Sequence, residues 1–192
     1  MVKIAIASCV VTLACVAGSV SAGPTTAVDG EMALRQSMQQ ALWPADIARL
    51  SGDYLKLYPR GSAVETARAL HARANETVRV LSHNDVRLYK NAFLPGAVPA
   101  EVSAEIRKAA LGDQAAAIRL AHQYRLTDRS PRGISRYVGW LQFAATLGSE
   151  EAAYELAVYF RQSDQPALAA QYEARAVALG YKLPTVLDHI RK

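Results

Sequence analysis

Residues 109–181 carry one pattern twice, and a pattern that recurs at fixed spacing leaves a chain few ways to fold. Aligning Gly112 with Gly148 brings Ala116 onto Ala152, Leu120 onto Leu156 and Ala121 onto Ala157, with Tyr124 and Phe160 each twelve residues past its glycine. That spacing is 36 residues. Aligning backwards from Gly148 and Gly180 brings Leu147 onto Leu179, Ala144 onto Ala176 and Trp140 onto Tyr172, a spacing of 32 residues. The helix before the glycine therefore repeats as well. A period in the thirties with small and aromatic residues at helical offsets predicts stacked units, none of which buries its own apolar face alone. The expected fold is all-α, an α-solenoid of stacked helix-turn-helix repeats.

The order Tyr137, Trp140, Ala144, Ala145, Gly148, Ala152, Leu156, Ala157, Tyr159 resembles a Sel-one-like repeat, a relative of the tetratricopeptide repeat. The resemblance covers roughly residues 104–192. Two departures stand out: Ala121 and Ala157 occupy positions where the family often has glycine, and the loop around Ser163-Asp164-Gln165 is four residues shorter than its counterpart. The resemblance implies a protein-binding adaptor and not a catalyst.

Residues 1–22 read as a secretory signal. Lys3 supplies a short basic head, the 14 residues from Ile4 to Ala17 are apolar or small, and Val20-Ser21-Ala22 offers a cleavage site. The stretch falls short of the roughly 20 apolar residues that span a bilayer. Cleavage is expected to leave 170 residues from Gly23, with no transmembrane segment in the mature chain. Both cysteines, Cys9 and Cys15, lie in the leader, so the mature chain is expected to hold neither disulfide nor cysteine metal site and to rely on core burial. The run Thr12-Leu13-Ala14-Cys15 weakly resembles a lipoprotein processing site, which keeps lipid anchoring through Cys15 as an alternative to a periplasmic or secreted soluble product. Without Lys3 the net charge falls from +5 to +4, mild and interspersed, so nucleic acid is not an expected partner.

The mature chain divides into residues 23–94, a helical region that is either tetratricopeptide-like or a cap, and residues 95–192, the repeat region with a terminal capping helix. Residues 23–30 are small and polar, a mobile start. A first helix follows from Glu31 through Met32, Leu34, Met38 and Leu42, with Glu31 and Arg35 as an i,i+4 pair. A second begins near Pro44 and carries Ile47, Leu50, Tyr54 and Leu57 to Pro59. Ser62 and Glu65 have capping-box spacing for a third, striped by Val64, Ala67, Leu70, Ala74, Val78 and Leu81. The run from Tyr54 to Ser62, with its Tyr58-Pro59 pair, also resembles helix-turn-helix units of tetratricopeptide-type envelope proteins. Asp85 could cap a short helix through Leu88, Tyr89 and Phe93, before the break at Leu94-Pro95-Gly96-Ala97-Val98-Pro99. Pro99 suits the start of a helix that Gly112 ends, and Pro184 the start of a last one.

Few residues form a pattern that carries chemistry. His71, His83, His122 and His189 are scattered without metal-ligand spacing, and no phosphate loop, nucleophile elbow or zinc-protease motif occurs. No cofactor and no metal are expected, and no catalytic residue is assigned. Trp140 and Tyr172 read as core, and Glu150-Glu151 as the first turn of a helix. The sequon at Asn75 reads as chance, mid-helix.

Arg119, His122, Gln123 and Glu155 are the expected partner-binding residues on the helices after Gly112 and Gly148, since the repeat offsets send Ala116, Leu120, Ala152 and Leu156 inward. Beside them, Arg125, Arg129, Arg132 and Arg136 span one loop with only Asp128 opposed and Tyr124 and Tyr137 flanking, a composition suited to carboxylates. The leading expectation is a periplasmic scaffold or adaptor for a protein partner in envelope assembly or signalling. The alternative is a module that binds acidic polysaccharide or cell-wall polymer, and a small wall-active hydrolase comes third.

Overall fold

The computed structural model describes residues 24–94 and 100–182. Among these residues the protein is all-helical: α1 (Pro24–Gln40), α2 (Pro44–Leu57), α3 (Val64–Leu81), α4 (Lys90–Phe93), α5 (Ala100–Ala110), α6 (Gln114–Thr127), α7 (Pro131–Thr146), α8 (Glu150–Gln162) and α9 (Pro166–Leu179). The leader, the segment 95–99 and the helix expected from Pro184 lie outside the described residues. None of the described helices is long and apolar enough to cross a membrane.

The recurring glycine has a single structural job. Gly112, Gly148 and Gly180 all have positive φ, +85°, +104° and +106°, closing α5, α7 and α9 in the left-handed conformation that glycine adopts without steric cost. In each case the next amide reaches back five residues, Asp113 to the Lys108 carbonyl (3.1 Å), Ser149 to Ala144 (3.0 Å) and Tyr181 to Ala176 (2.9 Å). The chain then restarts at once. Asp113 and Ser149 accept from the Ala116 and Ala152 amides and so cap α6 and α8.

Connections this short place sequential helices side by side, and packing is most extensive between α2 and α3, α6 and α7, and α8 and α9. The central helix is α7, buried without a break from Gly139 to Ala145. Alanines at 116, 117, 121, 144, 145, 152, 153 and 157 let backbones approach closely, while Trp140, Phe143, Leu120, Leu141 and Leu156 fill the remaining volume. Burying each large side chain contributes about 1.5–3 kcal/mol. Trp140 sits 4.9 Å from Phe93, whose ring also meets Trp43 edge-on, so α4 and the start of α2 close this core.

A smaller core of Met38, Tyr54, Ala63 and Ala67 joins α1 to α2 and α3. The start expected to be mobile is instead helical from Pro24, and Glu31 is why its end is held. Its Oε1 accepts from Tyr54 Oη (2.5 Å), the Ser62 amide (3.0 Å) and Ser62 Oγ (3.1 Å). This use of Glu31 displaces two expected local contacts. Arg35 donates to Ser62 Oγ, and Ser62 does not cap α3, whose N-cap is Ala63 without a side-chain bond.

The expected helix from Asp85 is also corrected. Residues 82–85 turn, with the Val86 amide donating to the His83 carbonyl (3.0 Å), and 86–89 then run over α7, where the Arg87 amide donates to Gln142 Oε1 (3.1 Å) and the Arg87 carbonyl lies against Gly139, leaving no room there for a side chain. Asp85 pairs with His83 and, at 3.7 Å, with Arg175 of α9, so it ties this connection to α9 and does not cap α4.

Candidate functional site

The loop from α6 to α7 is built by two short side chains. The Asp128 carboxylate accepts from the Ser130 amide (3.0 Å), and Ser130 Oγ accepts from the Gly133 amide (3.3 Å) to cap α7, with Pro131 in its first turn. Hydrogen bonds from Ser130 hold the Asp128 carboxyl below its usual range, so it stays charged. The loop arginines are then sorted by their neighbours. The Arg125 guanidinium lies 5.3 Å from the Tyr137 ring centre and that of Arg136 lies 5.0 Å from Tyr124, two cation–π contacts that crosswise join α6 to α7. Arg129 and Arg132 are exposed and form no ion pair among the described residues.

Glu155 is the meeting point of α6, α7 and α8. Its Oε1 accepts from Tyr137 Oη (2.9 Å) and from Arg125 (3.4 Å), and its Oε2 lies 2.8 Å from His122 Nε2. Burial, reinforced by the neighbouring Glu155 charge, pushes the Tyr137 phenol well above its ordinary range, so the phenol acts as a donor. Arg119 turns the other way and pairs with Glu105 of α5 at 2.7 Å; hydrogen bonds from Lys108 and then Arg119 hold that carboxyl low. Gln123 is half-buried, and its carbonyl accepts from Thr127 Oγ1 (2.8 Å). The structure thus brings His122, Arg125 and Glu155 together. Arg119 pairs with α5, Arg129 stands on the loop and Arg132 in the first turn of α7, both exposed.

Beside this cluster are two hollows. One, of about 570 Å³, is lined by Arg125, Leu126, Arg129, Ile134 and Tyr159. The other, of about 410 Å³, lies between α7 and α9 and includes Asn84, Ile134, Tyr159, Gln165, Leu168 and Gln171. Leu126 (79% exposed), Ile134 (42%) and Leu168 (36%) project into them, residues that sequence reasoning did not select. A signal existed for Leu126, because the buried stripe of α6 runs through Ala117, Leu120 and Ala121 and leaves Leu126 off it.

Chemically the arrangement offers guanidinium donors, amide side chains and exposed apolar anchors. One serine–histidine contact occurs elsewhere, with Ser51 Oγ 3.4 Å from His71 Nδ1. That nitrogen is 2.8 Å from the Ala48 carbonyl, which only accepts, so it carries a hydrogen and takes no proton from Ser51. Ser51 itself is buried and donates to the Ile47 carbonyl (2.6 Å). Among the described residues no group of three or more His, Cys, Asp or Glu side chains is placed to hold a metal ion. Comparison of the chain with family models, with curated proteins and with solved structures finds no match to any of them.

Proposed function

We propose that the protein is an exported repeat scaffold, an α-solenoid whose stacked units present a face for a protein partner in the cell envelope. One observation carries the reading: three exposed aliphatic side chains, Leu126, Ile134 and Leu168, stand around hollows whose rim bears Arg125 and Arg129. Exposed apolar anchors ringed by polar groups suit a protein contact. The common closure at Gly112, Gly148 and Gly180 supports stacking of equivalent units. The resemblance to Sel-one-like repeats points the same way, and the leader-like first 22 residues support delivery to the periplasm or beyond.

The test is capture of the tagged chain from its own envelope after mild cross-linking, beside Leu126→Asp and an Arg129→Ala/Arg132→Ala pair. A discrete protein recovered with the parent and lost from the variants is the expected result. A second reading, binding of acidic polymer, is favoured by Arg129 and Arg132, exposed and without an ion pair among the described residues, in a segment where Arg125 and Arg136 lie over Tyr137 and Tyr124. Recovery of polymer without a stoichiometric protein, with capture falling steeply as salt is raised, would select it instead.

A further inference from the structure

The two hollows adjoin at Ile134 and Tyr159, which line both, so the surface carries a groove in two parts, one at the α6–α7 loop and one at the start of α9. Its ends differ in chemistry. At the loop end stand Arg125 and Arg129 beside Asp128; Arg125 is paired with Glu155, which leaves Arg129 as the cation there without an ion pair, while Arg132 and Arg136 line a separate hollow within electrostatic reach of Asp128. Guanidinium groups only donate, in a fork that matches a carboxylate. At the other end stand the amides of Asn84, Gln165 and Gln171, which both donate and accept, with Asp85 and Arg87 adding one charge of each sign. Leu126, Ile134 and Leu168 supply the apolar line between them.

Each part answers a need of one kind of ligand. An extended peptide brings backbone N–H and C=O groups that must be paired once they leave water, and side-chain amides can pair with both. Its apolar side chains need an apolar wall, and its acidic ones an arginine. A sugar polymer has carboxylates for the arginines but no aliphatic side chains for Leu126, Ile134 and Leu168. We propose that this groove holds an extended segment of a partner protein, with acidic residues at the Arg125–Arg129 end and bulky apolar residues along Leu126, Ile134 and Leu168. The proposal rests on the adaptor reading and names its partner's chemistry.

The probe is a displayed library of random peptides of about eight residues, each spanning roughly 26 Å when extended. It is selected on the full chain and, separately, on Arg129→Glu and Ile134→Asp, whose positions are exposed or open to the groove. Peptides enriched on the parent are expected to join Asp or Glu to Leu, Ile or Phe a few residues away. Synthetic copies should bind either variant about tenfold more weakly, in line with loss of one anchor. Selection on Arg129→Glu should exchange the acidic preference for Lys or Arg, an outcome that decides the matter even where Ile134→Asp does not fold. Peptides that bind all three proteins equally, or no enrichment at all, overturn the proposal, and so does displacement of nothing but polygalacturonate from the groove. A photo-cross-linking residue at position 119 or 134 separates the two levels of the reading. A protein linked through 119 and never through 134 leaves the adaptor standing and removes the groove, whereas none at either position removes both.

Discussion

Tyr137 donates its phenolic hydrogen to Glu155 across 2.9 Å, and this one bond joins the central helix α7 to α8 at the point where α6 also arrives through His122 and Arg125. The phenol is buried and the carboxylate half-buried, so removing Glu155 leaves the phenolic hydrogen without its acceptor, whereas removing the phenol leaves Glu155 with His122 and Arg125. Glu155→Ala should cost about 1–3 kcal/mol, the desolvation of an unpaired buried hydroxyl, and Tyr137→Phe about 1 kcal/mol. The double variant should cost less than the sum, since each single change already breaks the shared bond. Urea unfolding of the four proteins measures the coupling, and strictly additive losses would show that the bond does not hold the helices together.

Alkaline stability follows from the same phenol. Burial first, and then the Glu155 charge, raises the folded-state pKa of Tyr137 above the ordinary 10.0, so the folded form keeps its proton longer than the unfolded one. The stabilisation is complete below pH 10 and is lost as pH rises beyond it. Tyr54, Tyr172 and Tyr181 are raised in the same direction, each chiefly by burial. The unfolding free energy of the parent should therefore fall above about pH 10, and Tyr137→Phe should flatten that fall in part. Identical pH profiles for the two proteins would exclude Tyr137 as a contributor.

The three closing glycines should be equivalent. A Cβ at Gly112 or Gly148 would meet nothing nearer than 3.5 Å, and one at Gly180 nothing within 4 Å, so alanine at each position suffers only the left-handed backbone. The expected cost is about 1–2 kcal/mol at every one of them. Gly139→Ala is different in kind, because its Cβ would lie 2.8 Å from the Arg87 carbonyl oxygen inside a packed helix. It should lift residues 86–89 from α7, which hydrogen exchange at the Arg87 amide would register as lost protection.

The helices from α5 to α9 were legible because their punctuation is local. A glycine that must adopt positive φ, followed directly by Asp113 or Ser149 as a cap, marks a helix end and the next start within two residues. Punctuation that depends on distant partners was not legible. Ser62 has the spacing of a capping box, yet Glu31, 31 residues earlier, takes both its amide and its hydroxyl. Asp85 has the look of a cap, yet its charge is used by Arg175 from another helix. The candidate surface divides in the same manner. Arginine clustering around residue 129 is visible in one dimension, whereas an exposed Ile134 or Leu168 looks like any core residue until the helices are placed.

Arg119 and Glu155 carry the same expectation of partner contact and are unequal probes of it. Arg119 pairs with Glu105 at the surface, an exposed bond worth about 0–1 kcal/mol, whereas Glu155 holds three helices at once. Arg119→Ala should leave the urea midpoint almost unchanged, so any loss of partner capture reports the surface itself. Glu155→Ala should lower the midpoint and weaken capture together, and Glu155→Gln, which keeps an acceptor for Tyr137 Oη, should recover much of the stability. Capture that follows stability across Glu155→Ala and Glu155→Gln while ignoring Arg119→Ala would assign Glu155 to the frame of the site and move the contact surface away from α5 and α6, towards the groove lined by Ile134.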